Sequence, residues 1–255
     1  MSGAQIPQWD DDQSFDSTVS TLQAQSIKKS SISASSLQPL PREVTLKNAS
    51  LFSSNQHITD PTHPSTVLYT LRTHTSMRGP NLTLHPGVSS RSDDTKATAI
   101  AAATFHFLSP HITFINGNTS VNSVPKAAEA SVESDWRGKE SRFTVPFAAS
   151  TGTPDRQFNW IRGPHKDLGI GRMSNRGWKL VDTADPGTPL ATFSYSCASL
   201  TSTGHSTLTW LGGSERSLTP EEQIGCAVVV FAIHERIKRN SNTGGGTAGC
   251  GGGGC

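Results

Sequence analysis

Large apolar residues occupy alternate positions in one short segment after another from about residue 43 onward. Such a period of two is typical of strands with one buried and one solvated face. Turn-forming sequences such as DPTHP, INGN and DPGTP separate the segments. Many short antiparallel strands at this spacing predict a mainly β barrel or sandwich. The alternating residues are Val67, Tyr69 and Leu71; Leu82 and Leu84; Phe105 and Phe107; Ile112 and Phe114; Phe143, Val145 and Phe147; Phe158 and Trp160; Trp178 and Leu180; Phe193 and Tyr195; and Leu208 and Trp210.

One segment near the C-terminus, PEEQIGCAVVVFAIHERIKR, has a different pattern. Thr219 and Glu222 have the spacing of a capping box, which predicts a helix at about residues 219–239. Its continuous apolar part, 224–233, has ten residues, whereas a membrane-spanning helix needs roughly 20. A helix that is apolar on all sides is buried on all sides. We therefore expect a closed antiparallel barrel of about twelve strands around a buried C-terminal helix.

Two side chains in or beside this helix bear on candidate chemistry. Cys226 lies inside the apolar run and is expected to be a small core residue. His234 follows the run and is expected to be a buried or rim histidine. The other histidines are scattered and show no zinc-binding spacing.

The remaining chain divides into three parts. Residues 1–42 are rich in Ser and Gln, which predicts a disordered arm. Residues 43–240 form the predicted β domain, in which the polar, Ala-rich stretch 123–136 is predicted to be a loop. Residues 241–255 form a predicted flexible Gly/Cys tail that contains GGGTAGCGGGGC.

Charge and motifs narrow the classes of function. The formal net charge is +2, so no strong overall field favours nucleic acid as a partner. The first residues lack the basic and apolar regions of a secretory signal, which predicts a cytoplasmic protein. No nucleophile elbow, P-loop or complete dinucleotide-binding motif occurs in the sequence. We therefore expect neither enzymatic activity nor a cofactor or metal.

The order of several motifs resembles the tubby C-terminal-like superfamily, which includes tubby domains, plant LURP-one-related proteins and phospholipid scramblases, and is most similar to its short fungal branch. The motifs are TFHFLSPHITFING, SRFTV, QFNW, WKLVD and ATFSY, followed by the terminal helix. The resemblance covers about residues 44–239. It differs from the family in a long loop at 116–137 and in the insertion PFAASTGTPD. The resemblance implies a twelve-stranded barrel around a central helix, phosphoinositide binding as in tubby domains, and membrane association as in scramblases.

The tail contains the first candidate site. Cys250 and Cys255 follow a basic helix end in a glycine tether, a combination suited to S-acylation at an anionic membrane. The alternative is a flexible tail with inert, reduced thiols.

The second candidate site is the segment around GPHKDLGIGRMSNRG, which we interpret as a hairpin connection. Arg162, Lys166, Arg172 and Arg176 lie in or beside it and are candidates for contact with phosphate headgroups. The alternative is a solvated loop.

Together these observations predict a non-enzymatic adaptor that associates peripherally with the cytosolic face of a membrane or with phosphoinositides. The alternative is a cytosolic protein-interaction scaffold that does not bind lipid.

Overall fold

The computed structural model describes residues 38–49, 55–75, 79–88, 99–105, 111–119, 128–134, 141–147, 156–163, 176–195, 205–214 and 217–243. They form twelve strands and one helix. The strands are β1 (Glu43–Asn48), β2 (Gln56–Asp60), β3 (His63–Thr73), β4 (Leu82–Pro86), β5 (Ala99–Phe105), β6 (Ile112–Thr119), β7 (Ala128–Ser134), β8 (Ser141–Phe147), β9 (Arg156–Gly163), β10 (Arg176–Asp182), β11 (Pro189–Tyr195) and β12 (His205–Trp210), and the helix is α1 (Pro220–Thr243). The prediction of a mainly β chain with a C-terminal helix is confirmed.

The strands pair antiparallel with their neighbours in the chain, and the first strand also pairs with the last. Strand β1 is hydrogen-bonded to β2 through Leu46 opposite Ile58 and to β12 through Val44 opposite Leu208. The described strands therefore form a closed barrel in the order β1-β12-β11-β10-β9-β8-β7-β6-β5-β4-β3-β2. Since every described strand has a partner on both sides, its backbone polar groups are satisfied within the sheet.

The alternation in the sequence matches the observed burial. Trp160 and Phe158 on β9 and Trp210 on β12 are fully buried. In contrast, Gln157, next to Phe158, is exposed. The aromatic and aliphatic residues at alternate strand positions therefore point into one core, as a period of two requires.

Helix α1 lies inside this core. Every residue from Glu222 to Glu235 is buried, so all faces of the helix are covered over these four turns. Strands from different sides contact it: the indole of Trp160 on β9 donates a hydrogen bond to the carbonyl of Cys226 at 2.9 Å, and Phe193 on β11 packs against Phe231 with ring centroids 6.0 Å apart. The helix is therefore the centre of the hydrophobic core.

Two segments differ from the sequence prediction. Residues 128–134 are strand β7, paired to β6 and β8, and not part of a loop. The sequence AEASVES does alternate, but its apolar positions are small, so the pattern was weak. The described chain also begins at Gln38, inside the segment predicted as a disordered arm, and Leu40 is buried in the core. The rest of that arm lies outside the described residues.

Candidate functional site

The helix begins with the predicted capping box. The backbone N–H of Thr219 donates to Glu222 Oε2 at 2.8 Å, and the N–H of Glu222 donates to Thr219 Oγ1 at 3.2 Å. This reciprocal pair satisfies two N–H groups that have no partner within the helix. The start of the helix is therefore set by local sequence.

One arginine connects the helix start to the barrel wall. Arg156 Nη1 on β9 lies 3.2 Å from Glu222 Oε1, and its Nη2 lies 3.0 Å from Asp182 Oδ2 on β10. Its guanidinium also lies 4.9 Å from the centroid of the Phe158 ring. Because two carboxylates share one guanidinium, this end of the molecule retains excess negative charge.

The barrel end at which α1 begins is acidic, and we call it the acidic end. Asn116 near the end of β6 donates to the carbonyl of Glu221, and Leu40 N–H donates to Gln223 Oε1 at 2.7 Å, which places these segments around the helix start. The acidic residues that the described segments place here are Glu43, Asp60, Asp182, Asp185, Glu221 and Glu222, with Glu129 near the start of β7. Arg42 and Arg156 are the basic residues of the same described set.

The opposite end, where α1 finishes, is basic, and we call it the basic end. Arg239 Nη2 donates to the carbonyl of His74, which follows β3, at 3.1 Å, and its guanidinium lies 5.2 Å from the ring centroid of Phe105 at the end of β5. Its Nε donates to Glu235 Oε1 at 2.9 Å. These contacts fix the last turns of the helix against the ends of β3 and β5.

The basic end collects residues from strands that are distant in sequence. They are Lys47 near the end of β1, the buried Arg72 on β3, Arg142 on β8, Arg162 on β9, Arg176 on β10, and Arg236, Lys238 and Arg239 on α1. Glu133 and Glu235 are the acidic residues that the described segments place at this end. Because the helix itself is acidic at its start and basic near its finish, its macrodipole is stabilised by both sets of charges.

Two histidines at the basic end respond to these charges. Burial, followed by the charges of Arg72 and Arg239, lowers the pKa of His74. Burial, followed by the charge of Lys238, lowers the pKa of His234 to about 4. Both histidines are therefore neutral at neutral pH, and both lie in a positive local field.

The structure places part of the predicted headgroup site at this end. Arg162 and Arg176 belong to the adjacent strands β9 and β10, where Arg162 lies opposite Trp178, two residues from Arg176. The antiparallel pairing of these consecutive strands makes residues 164–175 their connection, as predicted for a hairpin. Lys166 and Arg172 lie in this connection, outside the described residues, as do Cys250 and Cys255 in the tail.

Sequence reasoning missed three members of the basic end: Lys47, Arg72 and Arg142. They are isolated basic residues in three separate strands, so no local cluster marks them. A strand-by-strand reading of the antiparallel order would have found them, because alternate strand ends share one end of a barrel.

A groove lies on the outer surface towards the acidic end. Its volume is about 380 Å³, and it is lined by Gln38, Pro39, Pro41, Leu68, Tyr69, Pro86 and Ile100. Tyr69 Oη donates to the carbonyl of Gln38 at 3.3 Å, which holds the segment before β1 against β3. Val88, two residues beyond Pro86, has 72% of its surface exposed. The groove is therefore mostly apolar and open to solvent.

Two core residues have the roles expected from the sequence. Cys226 is fully buried, and burial raises the pKa of its thiol well above the usual value. His234 is buried against the rings of Phe193 and Tyr195, with centroids 5.6 and 5.0 Å away. Neither side chain is placed to react with a ligand in solvent.

Searches for larger functional features end here. Over the described ranges, no helix has the length and apolar character to span a membrane. No group of three His, Cys, Asp or Glu residues is positioned to bind a metal in this part of the chain. No protein-family model, curated protein or solved structure matches the sequence or the fold.

Proposed function

We propose that this chain is a tubby-like domain with a non-enzymatic role at the cytosolic face of a membrane, as a peripheral adaptor that binds anionic or phosphoinositide headgroups. The architecture that supports the family assignment is a barrel of twelve sequentially paired strands around a buried C-terminal helix. The order of the motifs SRFTV, QFNW, WKLVD and ATFSY supports it further.

The observation that carries the membrane role is that the basic end of the barrel is also the end from which the tail begins. Helix α1 finishes at Thr243, and Cys250 and Cys255 follow in the glycine tether. An extended chain reaches about 3.3–3.6 Å per residue, so Cys250 can reach roughly 25 Å from the helix end. The basic residues and both thiols can therefore meet the same membrane surface.

These two features fit the requirement of stable peripheral anchoring for more than one signal. Each Lys or Arg close to an anionic membrane contributes about 1 kcal/mol, and the effect weakens with salt. A single acyl chain binds only reversibly, whereas two chains, or one chain with a basic patch, anchor stably. The basic end supplies the electrostatic signal, and acylation of Cys250 and Cys255 would supply the second.

Vesicle cosedimentation tests the electrostatic part. We expect the unmodified protein to bind phosphatidylcholine vesicles only when phosphatidylserine or phosphatidylinositol bisphosphate is included, with affinity that falls as salt rises. The double variant Arg162→Gln, Lys238→Gln should bind about 30-fold more weakly, since two charges contribute about 2 kcal/mol. The control Arg42→Gln, Lys179→Gln loses the same charge away from the basic end and should bind normally. Equal losses in the two double variants would contradict the proposal.

Membrane fractionation in host cells tests the tail. The full-length protein should sediment with membranes, and the variant Cys250→Ser, Cys255→Ser should shift to the soluble fraction. Metabolic labelling with an alkyne fatty acid should mark the unchanged chain alone. If both forms remain soluble and unlabelled, the tail is a spacer.

A protein-interaction scaffold that does not bind lipid is the second candidate function, and the apolar groove near the acidic end favours it. This candidate predicts no vesicle binding at any lipid composition together with recovery of a protein partner. The cosedimentation experiment therefore separates the two functions.

A further inference from the structure

The groove towards the acidic end is built from two parts of the chain. One wall is the segment Gln38–Pro41, which crosses from β1 to the helix start, where Leu40 contacts Gln223. The other wall consists of Leu68, Pro86 and Ile100 on β3, β4 and β5. Since prolines are rigid and the strands are paired on both sides, the groove is formed before any ligand binds.

The charges around the groove are negative. Glu43 lies two residues after Pro41 and is exposed, and Glu221 is exposed at the helix start beside the contact between Leu40 and Gln223. Arg156, the basic residue nearest the helix start in the described set, already contacts Glu222 and Asp182. An approaching cation therefore meets exposed carboxylates, whereas an approaching anion is repelled.

We propose that this groove is the docking site for a basic segment of a partner protein, which inserts an apolar side chain between the prolines and places Lys or Arg beside Glu43 and Glu221. An apolar pocket with a rim of complementary charge is the usual arrangement of a peptide-binding site. The site lies at the end of the barrel opposite the basic end. It can therefore hold a partner while the basic end contacts a membrane, but it does not depend on membrane binding.

Fluorescence polarisation tests the groove with the full chain. The probe is a fluorescein-labelled peptide with a Pro-Leu-Pro centre flanked by lysines, and the control peptide has glutamates in place of the lysines. We expect saturable binding of the lysine peptide that weakens with salt, and no binding of the glutamate peptide. Binding of both peptides with equal affinity, or of neither, would overturn the proposal.

Variants assign the binding to the groove. Ile100→Ser should weaken binding about tenfold, equal to about 1.4 kcal/mol, and Glu43→Gln with Glu221→Gln should reduce its salt dependence. The matched control Ile161→Ser removes the same partly exposed side chain from β9, away from the groove, and should bind normally. Thermal melts establish that each variant is folded, and backbone amide chemical shifts give a second map of the site.

Analytical ultracentrifugation distinguishes a second copy of this chain as the occupant. A monomer at all concentrations agrees with docking of a partner protein. A dimer that Ile100→Ser dissociates and Ile161→Ser does not would assign the groove to self-association and overturn the proposal.

Discussion

The indole nitrogen of Trp160 on β9 donates a hydrogen bond, 2.9 Å long, to the carbonyl oxygen of Cys226 inside helix α1. Both residues are fully buried, so this bond joins the barrel wall to the centre of the core. It also satisfies an indole N–H that would otherwise be costly to bury.

Replacing Trp160 with Phe tests this connection. Trp160→Phe keeps an aromatic ring but removes the donor and leaves a small cavity, so the free energy of unfolding should fall by about 1–3 kcal/mol. Urea denaturation followed by circular dichroism measures the change. Gln157→Ala, an exposed position on the same strand, should change stability little, and an unchanged midpoint for Trp160→Phe would contradict the structure.

Gly225 allows the helix to approach β8 and β6 closely. A Cβ at this position would lie 2.6 Å from Phe147 Cζ and 3.0 Å from Asn116 Nδ2. Alanine normally favours a helix over glycine by about 1 kcal/mol, but overpacking costs about 1–3 kcal/mol. Gly225→Ala should therefore destabilise the protein.

The double variant Gly225→Ala, Phe147→Leu identifies the cause. If the clash with the Phe147 ring is responsible, the double variant should lose less stability than the sum of the two single variants. Additive losses in a double-mutant cycle would show that the two positions are not coupled.

His234 predicts a loss of stability in mild acid. Its pKa is about 4 in the folded protein, chiefly because of burial, compared with about 6.5 in an unfolded chain. The unfolded state therefore binds more protons between these pH values, and stability falls as the pH decreases from about 6.5 to about 4. The difference corresponds to about 3 kcal/mol at the lower limit.

Denaturation midpoints measured across this pH range test the assignment. The variant His234→Leu should lose most of the dependence on pH, whereas His205→Leu, at an exposed position on β12, should retain it. The same slope in both variants would assign the dependence to other groups.

Val229 tests the burial of the helix directly. Its side chain is fully buried, and an aspartate there would place a charge in the core at a cost of several kcal/mol, comparable to the whole stability of a domain. Val229→Asp should abolish the cooperative unfolding transition, whereas Gln157→Asp on the barrel exterior should retain it. A folded Val229→Asp protein would contradict a helix enclosed by strands.

The sequence alone was sufficient for the features that depend on local physics. The alternation at Phe158 and Trp160 or at Leu208 and Trp210 indicated strands, because a buried face recurs every second residue. The capping box of Thr219 and Glu222 predicted the helix start to within one residue, because its two hydrogen bonds form within one turn. The apolar residues around the helix circumference indicated burial on all sides. Strand β7 escaped prediction because its apolar residues are too small to mark a buried face.

The tertiary structure alone decided how charge is distributed. Lys47, Arg72 and Arg142 are separated by long stretches of chain, and only the antiparallel strand order brings them to the end where Lys238 and Arg239 lie. The groove formed by Pro39, Leu68, Pro86 and Ile100 likewise joins segments that have no pattern in common. Periodicity reports the side of an element that is buried, whereas a surface with a particular charge depends on which elements become neighbours.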